Sequence, residues 1–520
     1  MSNIGFDFGT TNSVISFYDR ERQALDCFRS HAGGNSYIPT VVAYGGRTTK
    51  IGEAAKAELG SPDVYADFKL RLGSGFEDPM PGQTRTPHEV AGDYISTLLQ
   101  EFREAGHTVQ NIVMTIPEAW YGENSNFMAR ENLQLLYQEI GETQVCFQSE
   151  PVAAAAYYCW RYQYQQEDNP DQKGFDGTLM IIDFGGGTLD VTLCRVDQGQ
   201  KIRVLDSCGS GEGIENRGCG GSAFDEEVIK LLCREYRIEL FPALLALAKN
   251  EFEQKLIAKA GECTEIMQDY FEYPAGLEDE QILVLNSLGG RSVCCRHLKT
   301  AFDKVNRPIL ERAVKTILKK NKIPSERFNV VMVGGFSNFC CVENAVRELL
   351  DSRTGADDPR FTKLLSQENK ALAVAKGAAL IADSIISVDP VFPYELGVVM
   401  GVPDEELHYH DIFVPLIRKG DLRDDYYNPL YSRDKVTVLP GGVSECYVRL
   451  YAGIGEERTV FALDESVKEI FPEYSGKAEY EIGIAVTENM IPELCIRSSS
   501  GTESRTQLNK LLERIVFRKG

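Results

Sequence analysis

The sequence predicts two α/β lobes built around a repeated turn, followed by a small all-β sandwich. Three observations carry this. One short stretch occurs twice, as Ile4-Gly5-Phe6-Asp7-Phe8-Gly9-Thr10-Thr11-Asn12-Ser13-Val14 and as Ile181-Ile182-Asp183-Phe184-Gly185-Gly186-Gly187-Thr188-Leu189-Asp190-Val191. Around and after the two copies, buried-strand runs alternate with segments of helical spacing. From Tyr394 onward, short alternating strands with turn residues between them dominate.

Each copy reads as strand, tight glycine turn, strand. Glycine lets the backbone of such a turn approach a ligand closely. Successive N–H groups there form an anion site, to which Thr10, Thr11, Asn12 and Thr188 add polar side chains. Asp7 and Asp183 open the two turns and are hard oxygen ligands suited to a hydrated magnesium ion. Two such turns facing each other would hold a polyphosphate and its metal between the lobes.

At 520 residues the chain has length for three or four domain-sized units. Its 55 basic and 77 acidic residues leave a net charge of −22, which opposes nonspecific binding to nucleic acid or to an anionic membrane. No apolar run is long enough to span a bilayer, and Met1-Ser2-Asn3-Ile4 lacks the start of a signal peptide, so a cytoplasmic location is expected. The 14 cysteines show no zinc spacing and suit buried thiols of a reducing compartment. His408 and His410 alternate on what reads as a loop.

In chain order, Val14–Tyr18 and Ile38–Tyr44 read as strands. Lys69 beside Arg71 is either a solvated basic pair or a source of one cation for a γ-phosphate. Pro87–Ala105 has helical spacing, with Val90, Tyr94, Leu98 and Phe102 on one face. Asn111–Pro117 and Gln144–Gln148 are strands, Phe127–Ile140 is a helix, and another helix runs from Glu150 to Tyr162 with Pro151 in its first turn. Gln163–Asp176 is polar loop, and Val191–Val196 is a strand. The glycine-rich Gly209–Gly221 leads to a helix from Glu226 to about Tyr236. Leu244–Lys259 is a helix with Glu251 and Lys255 at i,i+4, spacing that ordinarily supports an exposed helix.

Two β segments flank the Pro274–Asp279 turn, and Leu298–Lys320 reads as one long amphipathic helix. Phe328–Val333 is a buried strand ending at Gly334-Gly335, and Ala371–Ile386 is the last helix. In the tail, Val436–Leu439, Cys446–Tyr451, Tyr480–Val486 and Glu493–Arg497 are strands, with a turn at Pro440-Gly441-Gly442. Ser504–Phe517 forms either a short helix or a sheet-capping extension.

With both turns and Gly334-Gly335 in view, the chain resembles the actin-like ATPase superfamily, and within it the seventy-kilodalton heat-shock (DnaK-type) chaperones. Ile4–Ser13 and Asp183–Asp190 resemble that family's two phosphate motifs. Glu150-Pro151-Val152-Ala153-Ala154-Ala155 resembles its Glu-Pro-x-Ala-Ala-Ala helix start, and Lys69-Leu70-Arg71-Leu72-Gly73 its lysine segment. Gly220-Gly221-Ser222-Ala223-Phe224-Asp225 and Ala373–Ala379 resemble its Gly-Gly-x-x-Phe-Asp loop and closing helix. There are departures: Gly334-Gly335-Phe336-Ser337-Asn338 replaces Gly-Gly-Ser-x-Arg, and Glu251 with Lys255 fits Glu-x-x-Lys only with a one-residue slip.

The resemblance implies an actin-like ATPase domain over 1–386, a linker over 387–393 and a substrate-binding-like sandwich over 394–520 without a helical lid. It implies ATP or ADP and magnesium as ligands, with slow ATP hydrolysis. Asp7 and Asp183 would hold the metal through waters. Gly9, Thr10, Thr11, Asn12 and Gly185–Thr188 would bind phosphates, and Lys69, Glu150, Asp183, Thr188 and Asp190 would serve catalysis. Gly220, Gly221, Glu251, Lys255, Gly334, Gly335 and Phe336 would line the nucleoside pocket.

Partners implied are unfolded peptide segments or one dedicated protein, with J-domain or nucleotide-exchange co-chaperones, and neither nucleic acid nor membrane. The alternatives are a nucleotide-dependent scaffold for a single partner and a small-molecule kinase of the same superfamily. The all-β tail opposes the kinase.

Overall fold

The computed structural model describes residues 2–30, 34–45, 49–72, 78–79, 83–120, 127–142, 144–164, 173–210, 218–321, 327–352, 358–361, 364–389, 392, 395–404, 406, 408–418, 421–438, 445–454, 457–460, 467–470, 478–487 and 491–508. Outside them lie the Pro440-Gly441-Gly442 turn, most of the Gln163–Asp176 loop, part of the glycine-rich segment, much of the expected linker and 509–517 of the expected terminal helix. The chain divides into two compact units, the first ending at Val388 and the second running essentially from Asp389.

The first unit contains one topology twice. In the first lobe the sheet order is β3-β2-β1-β4-β5, with β1 Ser2–Phe8, β2 Asn12–Asp19, β3 Ala24–Cys27, β4 Val109–Ile116 and β5 Val145–Ser149. In the second it is β9-β6-β7-β8-β10, with β6 Gly177–Phe184, β7 Leu189–Asp197, β8 Lys201–Ser210, β9 Phe328–Val333 and β10 Ser387–Asp389. In both lobes the central strand pairs antiparallel with its successor and parallel with a later strand, β1 with β2 and β4, β6 with β7 and β9. The sequence repeat is therefore a structural repeat. β6 is buried throughout, as a strand covered on both faces must be.

Eleven helices are described in this unit: α1 Gly52–Lys56, α2 Pro87–Glu104, α3 Phe127–Glu139, α4 Glu150–Tyr164, α5 Gly221–Glu235, α6 Pro242–Ala258, α7 Ala260–Glu272, α8 Cys295–Val305, α9 Arg307–Lys320, α10 Cys340–Leu349 and α11 Gln367–Ala382. α2 opens on a capping box, Thr86 accepting from the Glu89 amide and Glu89 accepting from the Thr86 amide, with Pro87 just inside. Its Val90, Tyr94, Leu98 and Phe102 are wholly buried in the first lobe's core with Phe6 and Phe8.

α4 follows the first lobe's last strand yet packs on β6 and β7, while α11 follows the second lobe's sheet region and packs on β1 and β2. The two helices cross at Gly377, where a Cβ would lie 1.6 Å from the Ala153 carbonyl oxygen. Only glycine admits that approach.

Three expectations are corrected here. The helix expected over Leu298–Lys320 is two, broken at Asn306, because Pro308 lacks the N–H that a continuous helix needs. The segment before Pro274 is helix α7, not a strand, since Cys263 and Met267 meet the core one helical turn apart. The expected linker begins with a strand: β10 closes the second lobe's sheet, and the Ser387 amide donates to the Gln200 carbonyl at 2.9 Å.

The second unit holds two four-stranded antiparallel sheets. One has the order β12-β11-β14-β15, with β11 Glu395–Pro403, β12 Tyr409–Ile417, β14 Leu450–Ile454 and β15 Glu457–Val460. The other has β13-β16-β17-β18, with β13 Leu430–Val438, β16 Ala478–Val486, β17 Pro492–Ser498 and β18 Glu503–Gln507. Alternation sets the faces: Tyr480, Ile482 and Ile484 are buried, while Glu481 pairs with Arg497 across the ladder. Ser504–Gln507 is thus an edge strand, the sheet-capping alternative. The described cysteines are free thiols, and among the described residues no helix is long and apolar enough to cross a membrane.

Candidate functional site

The two turns meet. A Cβ on Gly186 would lie 2.1 Å from Thr11 Oγ1, and one on Gly187 would lie 2.5 Å from Thr10 Oγ1. The glycines of the second turn thus leave room for the hydroxyls of the first. Thr40 braces the first turn, its Oγ1 donating to the Gly9 carbonyl at 2.8 Å and its amide to the Thr11 carbonyl at 2.9 Å. Backbone braces the second. The amides of Cys219, Gly221 and Ser222 donate to the carbonyls of Gly187, Gly185 and Gly186 at 2.8, 3.0 and 2.8 Å. In a trans peptide the N–H points opposite the C=O. The N–H groups in those same peptide planes therefore point away from the 219–222 segment. Asn306, at the break between α8 and α9, holds that segment through the Cys219 carbonyl at 2.7 Å.

Beneath the turns lies a charged floor. Asp7 sits opposite Val14 and beside Thr115, whose Oγ1 donates to its Oδ1 at 3.3 Å. Asp183 sits opposite Asp190 and beside Val333. Lys69, on a short 3₁₀ turn, reaches Glu150 at the start of α4 with Nζ to Oε1 at 2.9 Å, both side chains more than nine-tenths buried. The ammonium also lies 5.6 Å from the Trp120 ring and 5.8 Å from that of Phe8.

Burial first, and then the nearby Glu150, push the Asp7 carboxyl up to about 7, against the opposing pull of Lys69. Asp183 is held well above the usual carboxylate range by burial and by the charges of Glu150 and Asp7. Three carboxyls and one ammonium share this buried cluster, and burial with neighbouring acids holds two of the carboxyls back from ionising. That donor set of hard oxygens fits a divalent cation.

The floor opens into a cavity of about 430 Å³. Of the residues expected at the site, Asp7, Gly9, Thr10, Thr11, Asn12, Lys69, Glu150, Asp183, Gly185, Gly186, Gly187, Thr188, Gly221, Gly334, Gly335 and Phe336 line it. Four others are not among its described lining. Asp190 is wholly buried in the strand pair behind Asp183. Gly220 packs against the back of the second turn, where a Cβ would meet the Gly185 oxygen at 2.2 Å. Glu251 and Lys255 are turned elsewhere: Glu251 accepts from Lys255 and from the amides of Asn286 and Ser287, and Lys255 donates to the Val284 carbonyl.

The face of α6 that looks into the cavity carries Lys249, Asn250, Glu253 and Ile257 instead. Glu251 lies about 200° from Glu253 around the helix, which is why a slip of this kind changes the face. Sequence reasoning also passed over Thr40, Lys56 and Asp225, all on the cavity wall. Lys56 reaches Glu253 at 3.4 Å, and Lys249 donates to Ser222 Oγ at 2.7 Å. Burial and the nearby Glu253 push Asp225 up to about 8. The Gly-Gly-x-x-Phe-Asp loop could have pointed to Asp225, but no local signal marks the others.

A family model described as Hsp70 protein matches residues 77–391, more than half of the chain, a span that holds Glu150, the second turn and Gly334-Gly335. The chain belongs to the Hsp70 family. The first unit of the chain accordingly has the actin-like, two-lobed fold. Among curated relatives, the chaperone protein DnaK of Mycoplasma mycoides subsp. mycoides is 25% identical over 359 residues, which cover 67% of this chain and 55% of the relative. That of Mycoplasmopsis agalactiae is 25% identical over 76% of this chain and 62% of its own. For Metamycoplasma hominis DnaK the figures are 25%, 80% and 64%. The Hsp70 match therefore spans between about half and two thirds of these relatives' length.

Proposed function

We propose that the chain is a magnesium-dependent, slowly turning ATPase whose two lobes close on nucleotide and signal to a C-terminal β-sandwich that binds extended peptide or a dedicated protein partner. The observation that carries this reading is the convergence of Asp7, Asp183, Glu150 and Lys69 beneath two facing phosphate turns. Phosphoryl transfer asks a protein chiefly for positioning and charge stabilisation, and these groups supply both.

In this reading, Asp7 and Asp183 hold a magnesium ion through waters, and the bound ion neutralises charge on the phosphate oxygens. Thr10, Thr11, Asn12 and the turn Gly185–Thr188 bind the phosphates. Lys69, fixed by Glu150, directs its ammonium at the transferred group. Glu150 orients the attacking water. Asp190, buried behind Asp183, is a positioning residue, not a catalytic one. Residues 1–386 form the ATPase domain, 387–393 the connection and 394–520 the sandwich, a reading supported by the two antiparallel sheets of the second unit. Peptide clients, co-chaperones and a cytoplasmic setting belong to this proposal, supported by the chaperone role that the DnaK relatives' names state.

Magnesium-dependent ATP binding and single-turnover hydrolysis on the purified chain test the first half. Release of a bound fluorescent peptide with and without ATP tests the second. ATP-insensitive release would remove the coupling while leaving the ATPase standing.

A further inference from the structure

β1, β4 and β5 run parallel and end together, with Asp7 level with Thr115 and Ile116 level with Ser149. Their carboxyl ends form the edge where open α/β sheets place ligands. Phe8 closes β1 and Glu150 follows β5. After β4 and Pro117 comes a second short 3₁₀ turn, Glu118–Trp120, which the Trp120 amide closes by donating to the Pro117 carbonyl at 2.9 Å.

This turn reaches both members of the Lys69–Glu150 pair. At one end the Trp120 ring lies 5.6 Å from Lys69 Nζ, and Phe8 faces the same ammonium at 5.8 Å. At the other, buried Glu118 accepts from Ser149 Oγ, one residue before Glu150. Trp120 is itself wholly buried, and its indole N–H has no hydrogen-bond partner among the described residues. A buried donor left unpaired is costly. Leu or Phe would fill core volume here without that donor, so packing alone does not account for an indole. Its face does. Indole attracts a cation more strongly than the other side-chain rings, and the attraction grows when the pair is out of water. Lys69, with its side chain 2% exposed, is such a cation.

We propose that Trp120 is a positioning residue for Lys69, its ring face holding the ammonium at the floor from the side opposite solvent. Ring and carboxylate share the work of fixing the cation, so Lys69 stays aimed at the transferred group while Glu150 orients the attacking water. The inference rests on the nucleotide reading above and adds a residue that acts through Lys69 without touching nucleotide.

The test compares single-turnover hydrolysis with the dissociation constant of magnesium ATP in the full chain. Trp120→Leu slows hydrolysis about tenfold and leaves the dissociation constant within about twofold. Trp120→Met, which fills the space without a π face, serves if the leucine variant does not fold, and slows hydrolysis likewise. Trp120→Phe keeps a ring and recovers the rate to within about threefold of the parent. In the Lys69→Ala chain, Trp120→Leu and Trp120→Met slow hydrolysis no further, since the cation they act through is gone.

A parent-like rate in the leucine or methionine variant overturns the inference. So does an equal loss of rate with and without Lys69, which marks Trp120 as packing only, or a loss of ATP affinity in place of rate. Normal turnover in Lys69→Ala overturns the role of Lys69 and this inference with it. Failure of the parent chain to bind magnesium ATP overturns the nucleotide reading itself.

Discussion

The two turns share Asp-Phe-Gly, yet they are stabilised by different means and sit in different fields. The first is braced by a side chain, Thr40, and carries its own hydroxyls. The second is nearly bare backbone, braced by the amides of Cys219, Gly221 and Ser222 at the start of α5. Asp7 has a hydrogen-bond donor in Thr115 and is pushed up to about 7 by burial and Glu150, whereas Asp183 is held well above the usual carboxylate range by burial, Glu150 and Asp7 and pairs across the ladder with Asp190. A duplicated motif has thus become a pair with unequal duties. One half supplies polar side chains, the other backbone amides.

The largest expected effect falls between the halves. Lys69→Ala lowers single-turnover hydrolysis about 10²- to 10³-fold while nucleotide binding stays measurable. It also strands the buried Glu150, and costs about 3 kcal/mol of stability in denaturant titrations. Normal turnover in this variant would show that Lys69 is only a structural partner of Glu150.

The asymmetry of the two acids comes next. Asp7→Asn and Asp183→Asn each weaken magnesium-dependent nucleotide binding, about 10- to 100-fold as for groups acting through metal-bound water. In metal-free buffer the same substitutions are stabilising. A carboxyl whose folded pKa is raised binds its proton more tightly when folded, so stability falls as pH climbs from the unfolded value through the folded one. The thermal midpoint of each variant should therefore exceed the parent's at pH 8 and converge on it below pH 4, where the carboxyls are protonated in both states. No gain in either variant would show that the folded chain does not disfavour these two charges.

Two smaller effects sharpen it. Gly377→Ala forces apart α4 and α11, one helix packed on each lobe's sheet, and lowers the melting midpoint by about 5 °C. Asp225→Asn removes an acid held near 8 from the second lobe's side of the cavity and raises the midpoint by a few degrees at pH 9. That gain fades as pH falls through 8 and is lost below 4, where the parent's Asp225 is protonated in both states.

The turns, the lobes and the floor acids were legible because their signals are local: a strand, a glycine turn and an acid within a dozen residues. What was not legible depends on distance or on helix register. Lys69 and Glu150 stand 81 residues apart, and nothing in either segment states that they pair. On α6, Glu251 with Lys255 makes a correct i,i+4 ion pair, but the face it occupies is set by packing against Asn286 and Ser287. Apolar spacing runs through Asn306 without interruption, so the break that lets Asn306 hold the second turn's support was hidden. The family's Arg gave way to Asn338 in plain view, yet the aromatic packing of Phe336 needed coordinates.

The crossing of α4 and α11 gives the first unit a fulcrum. Each helix grows out of one lobe and rests on the other's sheet, and at Gly377 their backbones touch with no side chain to act as a cushion. Glu150 is the first residue of α4, so the group that grips Lys69 sits on the short arm of that lever. A displacement of a fraction of an ångström at the salt bridge would then grow with distance from the pivot, and chemistry at the floor would be converted into travel at the rim.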